Sequence, residues 1–316
     1  MKAGAGGMDE DRDQWRCRVE AHVSISIVNY NAQEYLEQCL RSVTANGCRF
    51  PLEIIVVDNH SADRSVQMVR QKFPTVTLIE NARNEGFIKA NNKGLRASRG
   101  KYVLSLNNDT VVQPGALDIL IDFLESHPES GACGPKILNP SGSLQAQCRR
   151  GFPTPMSALY YFLRLHKLFP QNKRFGHYLM AHLHPDQVGE IDSLSGACMM
   201  VRREVMDRVG LMDESYTMYG DDLDWCYRIK KAGWKVHYVP QAVIMHHGGM
   251  GGSRVLPYRN TWEFYRSMAI FHEKHYSDSY SFLTNFLVYS GIWAMAGVSI
   301  ALNLLRREKI VGSRKL

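Results

Sequence analysis

Through the first 126 residues, short β-branched runs alternate with longer stretches of helical spacing. Residues 22–30 (HVSISIVNY) read as a strand, and residues 33–44 set Tyr35, Leu36, Cys39, Leu40 and Val43 on one helical face. Residues 53–58 (EIIVVD) are almost continuously apolar, as expected of a parallel strand covered on both faces. The pattern then predicts a helix over 61–72, a strand over 75–80, a helix over 86–98 and a strand over 101–106 (KYVLSL). A further helix follows over 113–126, with Pro114 suited to its first turn. This rhythm predicts an α/β fold with a Rossmann-like, mostly parallel, doubly wound sheet flanked by helices.

The second half is less regular. Strands are expected over 131–138, 195–201, 234–238 and 242–246, and a loop-and-helix insertion over 152–186. A short helix is expected over 202–209, and another over 221–232 that Gly233 closes. Aromatic spacing at Tyr258, Trp262, Tyr265, His272 and Tyr276 predicts a helix over 258–276. Residues 282–305 (FLTNFLVYSGIWAMAGVSIALNLL) carry no charge over 24 positions, long enough to cross a bilayer as a helix. Thr284, Asn285, Ser290, Ser299 and Asn303 weaken that reading and leave a helix lying in the interface, or buried, as alternatives. Arg306, Arg307, Lys309, Arg314 and Lys315 follow, with Glu308 the one acid, and such a basic flank stays on the cytoplasmic side. The expected organisation is a flexible tail at 1–20, one α/β domain at 21–256, and a C-terminal helical, membrane-associated extension at 257–316.

Composition narrows the classes. With 45% hydrophobic and 22% charged residues, the chain is not globally disordered. A net charge of +7 suits a phosphate-bearing substrate or an anionic membrane surface and does not call for nucleic acid. The seven cysteines are odd in number and scattered, with no C-x-x-C pair, which argues against a disulfide framework or structural zinc and for a reducing compartment. The first twenty residues lack the apolar run of a secretory leader.

In doubly wound sheets ligands bind beyond the carboxyl ends of the strands. Asn29-Tyr30-Asn31, Asp58-Asn59, Asn84-Glu85-Gly86 and Asn107-Asn108-Asp109 all fall there. Neither G-x-G-x-x-G nor G-x-x-x-x-G-K-[ST] is present, so neither dinucleotide nor P-loop binding is signalled. Asp109, at a strand tip, suits a hard cation that grips phosphate oxygens, or else a simple turn or helix cap. Asp221, Asp222 and Asp224 put three carboxylates in four residues, a costly cluster unless positive charge sits among them. Helix capping accounts for Asp221 equally well, and an i,i+4 pair with Arg228 accounts for Asp224, which leaves Asp222 for chemistry. His246 and His247, at a strand end before Gly248-Gly249, fit metal ligands beside a diphosphate or a structural pair.

The segments VSISIVNYN, EIIVVDNHSAD, NEGFIKANNKGL, GKYVLSLNNDTVVQPGAL, LSGACMMVRREVMDRVGLMDE, MYGDDLDWCYRIKKAGWKV and VIMHHGG resemble, in order, family 2 glycosyltransferases of the GT-A fold. Within that family they are similar to the bacterial rhamnosyltransferase-like branch that builds surface polysaccharides. The resemblance runs from about residue 23 to about 252. It implies that Asn29, Tyr30 and Asn31 line the nucleotide pocket and that Asp58 accepts from the base imide. It also implies that Asn84, Gly86 and Asn91 shape the floor under base and ribose, with Asn108 also on the donor side. Asp109 becomes the acid of a DxD-like motif, His246 or His247 completes the metal and diphosphate site, and Asp222 becomes the catalytic base. Arg254 adds positive charge near the phosphates.

Three departures stand out. Asn107 replaces the first DxD acid, Asp221 replaces the Glu of the family's Glu-Asp pair, and Lys89 stands where a small residue is usual. The reaction implied is an inverting transfer, favoured from dTDP-L-rhamnose, to a lipid-linked or polysaccharide acceptor, with Mg²⁺ or Mn²⁺, at the cytoplasmic face of the inner membrane. Three rivals are a UDP-hexose or UDP-N-acetylhexosamine donor, a non-catalytic sugar-nucleotide-binding protein, and a nucleotidyltransferase. NYNAQEY after the first strand, in place of a Gly-rich phosphate loop, argues against the last.

Overall fold

The computed structural model describes residues 21–169, 172–249 and 257–312. The tail expected at 1–20, Arg254 and the basic residues Arg314 and Lys315 lie outside them. In chain order the first half runs β1 (Val23–Asn29), α1 (Gln33–Ala45), β2 (Leu52–Asp58), α2 (Ser65–Lys72), β3 (Thr77–Glu80), α3 (Phe87–Ala97), β4 (Tyr102–Asn107), β5 (Thr110–Val112) and α4 (Ala116–Ser126). The second half continues with β6 (Ser130–Leu138), β7 (Arg149–Arg150), α5 (Pro155–Phe162), α6 (Leu165–Leu168), β8 (Gly189–Ile191), β9 (Ser193–Leu194), β10 (Cys198–Arg202) and α7 (Arg203–Val209). It closes with α8 (Asp221–Lys231), β11 (Lys235–His246), α9 (Pro257–His275) and α10 (Phe282–Gly312).

The main sheet is ordered β3-β2-β1-β4-β10-β6-β11-β5, with β8 added on β11. β1 to β4 pair in parallel, as do β6 and β11, and β10 is antiparallel to both of its neighbours. The antiparallel β10 is what joins the two parallel halves edge to edge. The register sets Asn29 beside Asp58, and Val28 beside Asn107, so the polar residues end together at one edge.

Both faces of the sheet are covered. Every residue of β1 is buried, and Leu36, Cys39, Leu40 and Val43 of α1 pack into the same core, the face the 3.6-residue spacing selects. Burial of one such leucine is worth about 1.5–3 kcal/mol. α3 approaches β1 closely because residue 94 is glycine; a Cβ there would lie 2.0 Å from Ser26 Oγ and 3.2 Å from Val57 Cγ2.

Several boundaries differ from the sequence pattern; α4, for one, starts at Ala116 after the Gly115 cap, so Pro114 precedes the helix and is not in its first turn. α2 starts at Ser65 rather than 61, because Asp63 Oδ1 accepts from Ser65 N (3.0 Å) and holds 61–64 as a turn. The strands expected over 234–238 and 242–246 are one strand, β11, irregular between Val239 and Val243, where Pro240 cannot donate to a ladder. The strand expected over 195–201 begins only at Cys198, as β10, because Ser195–Ala197 form a turn after β9.

The C-terminal helices form a pair. Tyr265, Ala269, Ile292 and Ala296 are buried where α9 meets α10, Trp262 stacks on Trp293 at 5.0 Å, and the Tyr265 and Ser299 hydroxyls are 2.8 Å apart. α9 is also docked on the α/β domain: Lys274 Nζ and His275 Nε2 reach Asp224 Oδ1 at 2.6 and 2.8 Å. The outer side of α10 carries exposed Phe282, Leu283, Phe286 and Leu287, and only 11% of its most apolar stretch is buried.

Candidate active site

At the ends of β1, β2 and β4 a hydrogen-bond network closes over Asp58. Its carboxylate accepts from Asn29 Nδ2 (3.1 Å), Ser61 N (2.8 Å) and Ser61 Oγ (2.6 Å). Asn108 Nδ2 donates to Asn29 Oδ1 (2.9 Å), which ties the end of β4 to β1. Asn59 Nδ2 donates to Asn84 Oδ1 (2.9 Å) and Gly86 O (3.2 Å), and its Oδ1 accepts from Asn81 Nδ2 (3.0 Å) and Glu85 N (2.9 Å). Gly86 has φ +89° as it caps α3, a conformation that favours glycine. Asn91 is buried and accepts from Ser105 Oγ at 3.3 Å. Asn31, at φ +50°, lies exposed at the rim and accepts from Ala62 N, with half-buried Tyr30 beside it. Lys89 is exposed on α3.

Beyond β4 the backbone turns at Asn108–Asp109 and enters β5, which pairs with the end of β11 and sets His246 opposite Thr110. His246 Nε2 is 3.1 Å from Asp109 Oδ1 and 3.3 Å from Asn107 Nδ2. Gln145 fixes the ring from behind: its Oε1 is 3.0 Å from His246 Nδ1 and its Nε2 donates to His246 O at 2.8 Å. His247 N donates to Asp109 O at 3.0 Å, and its ring meets the edge of Tyr35 at 5.0 Å. His247 Nε2 is buried with no hydrogen-bond partner among the described residues. His246 is therefore the ring that faces the Asp109 carboxylate.

The third part is the start of α8, entered through left-handed Tyr219 (φ +67°) and Gly220 (φ +79°). Asp222 Oδ1 accepts from Leu223 N (2.8 Å), and Oδ2 accepts from Gly196 N (2.9 Å) and Arg150 Nη2 (2.5 Å). Arg150 is buried on β7 and also donates to Leu194 O at 2.6 Å. Burial opposes its charge, but the Asp222 carboxylate beside it holds the guanidinium more firmly protonated than usual. Asp221 is buried too; burial first, and then the Asp222 charge, push its carboxyl well above the usual carboxylate range. Asp224 is fully buried and pairs with Arg228 Nε at 2.8 Å, as the i,i+4 spacing predicts. Burial would raise the Asp224 pKa, but His275, Lys274 and Arg228 outweigh it and hold the carboxylate well below its ordinary range.

One hydrogen bond joins the parts. Asn107 N donates to Ala197 O at 3.0 Å, and the neighbouring Gly196 N holds Asp222. The strand tip that carries Asp109 and the helix that carries Asp222 therefore share a single turn, Ser195–Ala197. Asn59, Ser61 and Asn81 on the first side, and Gln145, Arg150 and Gly196 on the second, make contacts that the sequence pattern does not predict. Ser61 has a local signal, lying three residues after Asp58. Arg150 has none, because it meets Asp222 across 72 residues of chain.

Sequence and fold comparisons show what the chain as a whole is similar to. The model of glycosyl transferase family 2 matches residues 24–210. The N-acetylglucosaminyl-diphospho-decaprenol L-rhamnosyltransferase of Mycobacterium tuberculosis is 32% identical over 232 residues, covering 70% of this chain and 74% of that protein. Rhamnosyltransferase WbbL of Escherichia coli is 26% identical over 234 residues, covering 71% of this chain and 83% of its own. The mannosyltransferase PcManGT from Pyrobaculum calidifontis, solved with GDP-Man and Mn²⁺, superposes with a TM-score of 0.54 at 18% identity, covering 92% of this chain and 81% of that one. At that identity the likeness is one of fold.

Proposed function

The chain belongs to glycosyl transferase family 2, with the GT-A fold, and we propose that it transfers L-rhamnose from dTDP-rhamnose, with inversion, to a lipid-linked acceptor in cell-surface glycan synthesis. The observation that carries the catalytic assignment is the placing of Asp222, held by Gly196 and Arg150, one turn from the strand tip of Asp109. The similarity to an L-rhamnosyltransferase that acts on a diphospho-decaprenol supports the donor and the acceptor class.

In this reading the base of the donor lies over the Asn29–Asp58–Asn84 side, where Asp58 accepts from the imide and Asn91 supports the floor. Tyr30 and Asn31 form the rim, and Asn108 ties the pocket to the phosphate end. The residues present fit a divalent cation. Asp109 is a carboxylate donor, and a His246 whose Nδ1–H is donated to Gln145 has its Nε2 lone pair on the Asp109 side. Among the described residues no three His, Cys, Asp or Glu side chains gather, and a nucleotide diphosphate would offer further oxygen donors. His247, with its buried and unpartnered Nε2, is the second candidate ligand. Asp109 and His246 would hold Mg²⁺ or Mn²⁺, which when bound would supply positive charge to the leaving diphosphate.

Asp222 takes the proton of the acceptor hydroxyl as that oxygen attacks the anomeric carbon from the face opposite the diphosphate. Gly196, Leu223 and Arg150 occupy its other hydrogen-bonding directions and aim it. Asp221, its carboxyl pKa raised, lowers the charge repelling Asp222.

Asp222→Asn leaves donor binding, read by thermal shift, nearly unchanged and cuts transfer at least about a hundredfold. Wild-type turnover in that variant would remove the base assignment. A thermal-shift panel of nucleotide sugars, with and without each metal, tests the donor, since a ligand of the folded state raises its stability. A response to dTDP-rhamnose is expected. A response to a UDP-sugar alone would replace rhamnose with a UDP-hexose or UDP-N-acetylhexosamine, and donor binding with neither transfer nor hydrolysis would make the protein a binding protein.

The apolar outer side of α10 supports attachment at the cytoplasmic face of the inner membrane. Deletion of 282–316 is expected to move the protein from the membrane pellet to the supernatant.

A further inference from the structure

The insertion between β7 and β8 turns its apolar side outward. α5 buries Ser157 and Tyr160, while Met156, Leu159 and Leu163, spaced three and four apart on another side of the helix, are 47–58% exposed. Phe162, Leu168 and Phe169 extend this surface past Arg164, whose left-handed backbone (φ +56°) separates α5 from α6. A helix in contact with water alone presents polar side chains on its free side. Large apolar side chains gathered there mark a contact surface.

Charge identifies what is contacted. Residues 151–185 contain no Asp or Glu, and Arg164, Lys167, Lys173 and Arg174 are exposed within them. Arg164, Lys167 and Lys173 have no acidic partner among the described residues. Apolar side chains with unpaired cations between them suit an anionic bilayer surface: rings and methyl groups enter the boundary between headgroups and acyl chains, and the cations meet the headgroups.

We propose that α5 and α6 form a second membrane-contact face, which docks on anionic lipid through residues distinct from those of α10. The proposal extends the membrane reading of α10 but stands on different side chains. It also bears on the site. Tyr161 of α5 meets Tyr178 edge-on at 5.1 Å, and Tyr178 lies beside Arg150, the partner of Asp222. Phe152, just before α5, packs on Phe271 of α9 at 6.3 Å between centroids. Lipid docking of α5–α6 therefore brings the Asp222 side of the cleft to the headgroup layer, where a lipid-linked acceptor presents its sugar.

Hydrogen exchange of the full chain tests this, with no vesicles, with phosphatidylcholine vesicles, and with vesicles that also contain phosphatidylglycerol. Amides of 156–169 are expected to exchange at least about fivefold more slowly on the anionic vesicles only. Leu163→Glu/Leu168→Glu is expected to abolish that protection while 282–304 stays protected and donor binding persists. Protection of 282–304 without 156–169 overturns this proposal and leaves the α10 reading standing, and protection of neither overturns both. Equal protection on both vesicle types overturns the anionic assignment. Protection that grows with protein concentration in the absence of vesicles assigns the face to a second copy of the chain and overturns the proposal.

Discussion

At the ends of β1, β2 and β4 the hydrogen bonds run mostly among amides and hydroxyls, with Asp58 the carboxylate in their midst; around α8 they run between full charges. The first arrangement is mostly uncharged around a single carboxylate, shape-defining and built from residues that the parallel register brings together. The second gathers Asp221, Asp222 and Asp224 with Arg150, Arg228, Lys274 and His275 from separate stretches of chain. A nucleotide needs a fixed outline to be recognised. Removal of a proton from an acceptor needs a carboxylate whose neighbours decide its charge. In the proposed reading, each task has its own kind of bonding.

The largest break in that contrast is at Asp224. Asp224→Ala removes the fully buried carboxylate that Arg228, Lys274 and His275 share, Lys274 keeping Asp213, and is expected to cost about 3 kcal/mol, read as a lower urea midpoint. A donor-side change acts differently. Asp58→Asn is expected to raise the donor KM about tenfold or more with a smaller change in kcat, because a charge-assisted hydrogen bond to the base is lost. Arg150→Gln is expected to show the reverse split, with kcat about tenfold lower and donor KM unchanged, since it loosens Asp222 and touches no donor contact. If Arg150→Gln altered donor KM instead, the division of tasks would be wrong.

Acid acts on the charged side more gently. Burial would raise Asp192, but His177, Lys230 and the Phe152 N–H bring it down to about 2, and Asp224 is also depressed. Their stabilisation is fully present above the unfolded value of about 3.9 and is lost as pH falls toward 2. Asp221 works in the opposite sense. With its folded value raised, the unfolded chain ionises first as pH climbs above about 4, so this group lowers stability on that side. Asp221→Asn is expected to flatten the fall in urea midpoint above pH 4 while leaving the acid limb in place.

Much of the donor side is legible in the amino-acid sequence, because strand ends follow apolar runs and a parallel register aligns them. Asn29, Asp58, Asn84 and Asn108 all fall under that rule. The Asp224–Arg228 pair is legible from i,i+4 spacing. Arg150, Gln145 and Gly196 are not, since each meets its partner only through long-range packing, with β7 on β9 for Arg150 and β6 beside β11 for Gln145, which no local periodicity carries. Pro240 hides the continuity of β11 because a ladder interruption and a strand end read alike in one dimension. Which histidine faces Asp109 likewise depends on the pairing of β11 with β5, a long-range register that the local His-His pattern does not carry.

The lock between α8 and α9 at Asp224 also has a directional consequence. Two successive residues of α9, Lys274 and His275, grip a carboxylate two positions after Asp222. If α10 and α5–α6 lie on the bilayer as proposed, that grip fixes the compass heading of Asp222 relative to the lipid plane. On that proposal the enzyme and a lipid-linked acceptor would meet by sliding over an area rather than by tumbling through a volume, already facing each other.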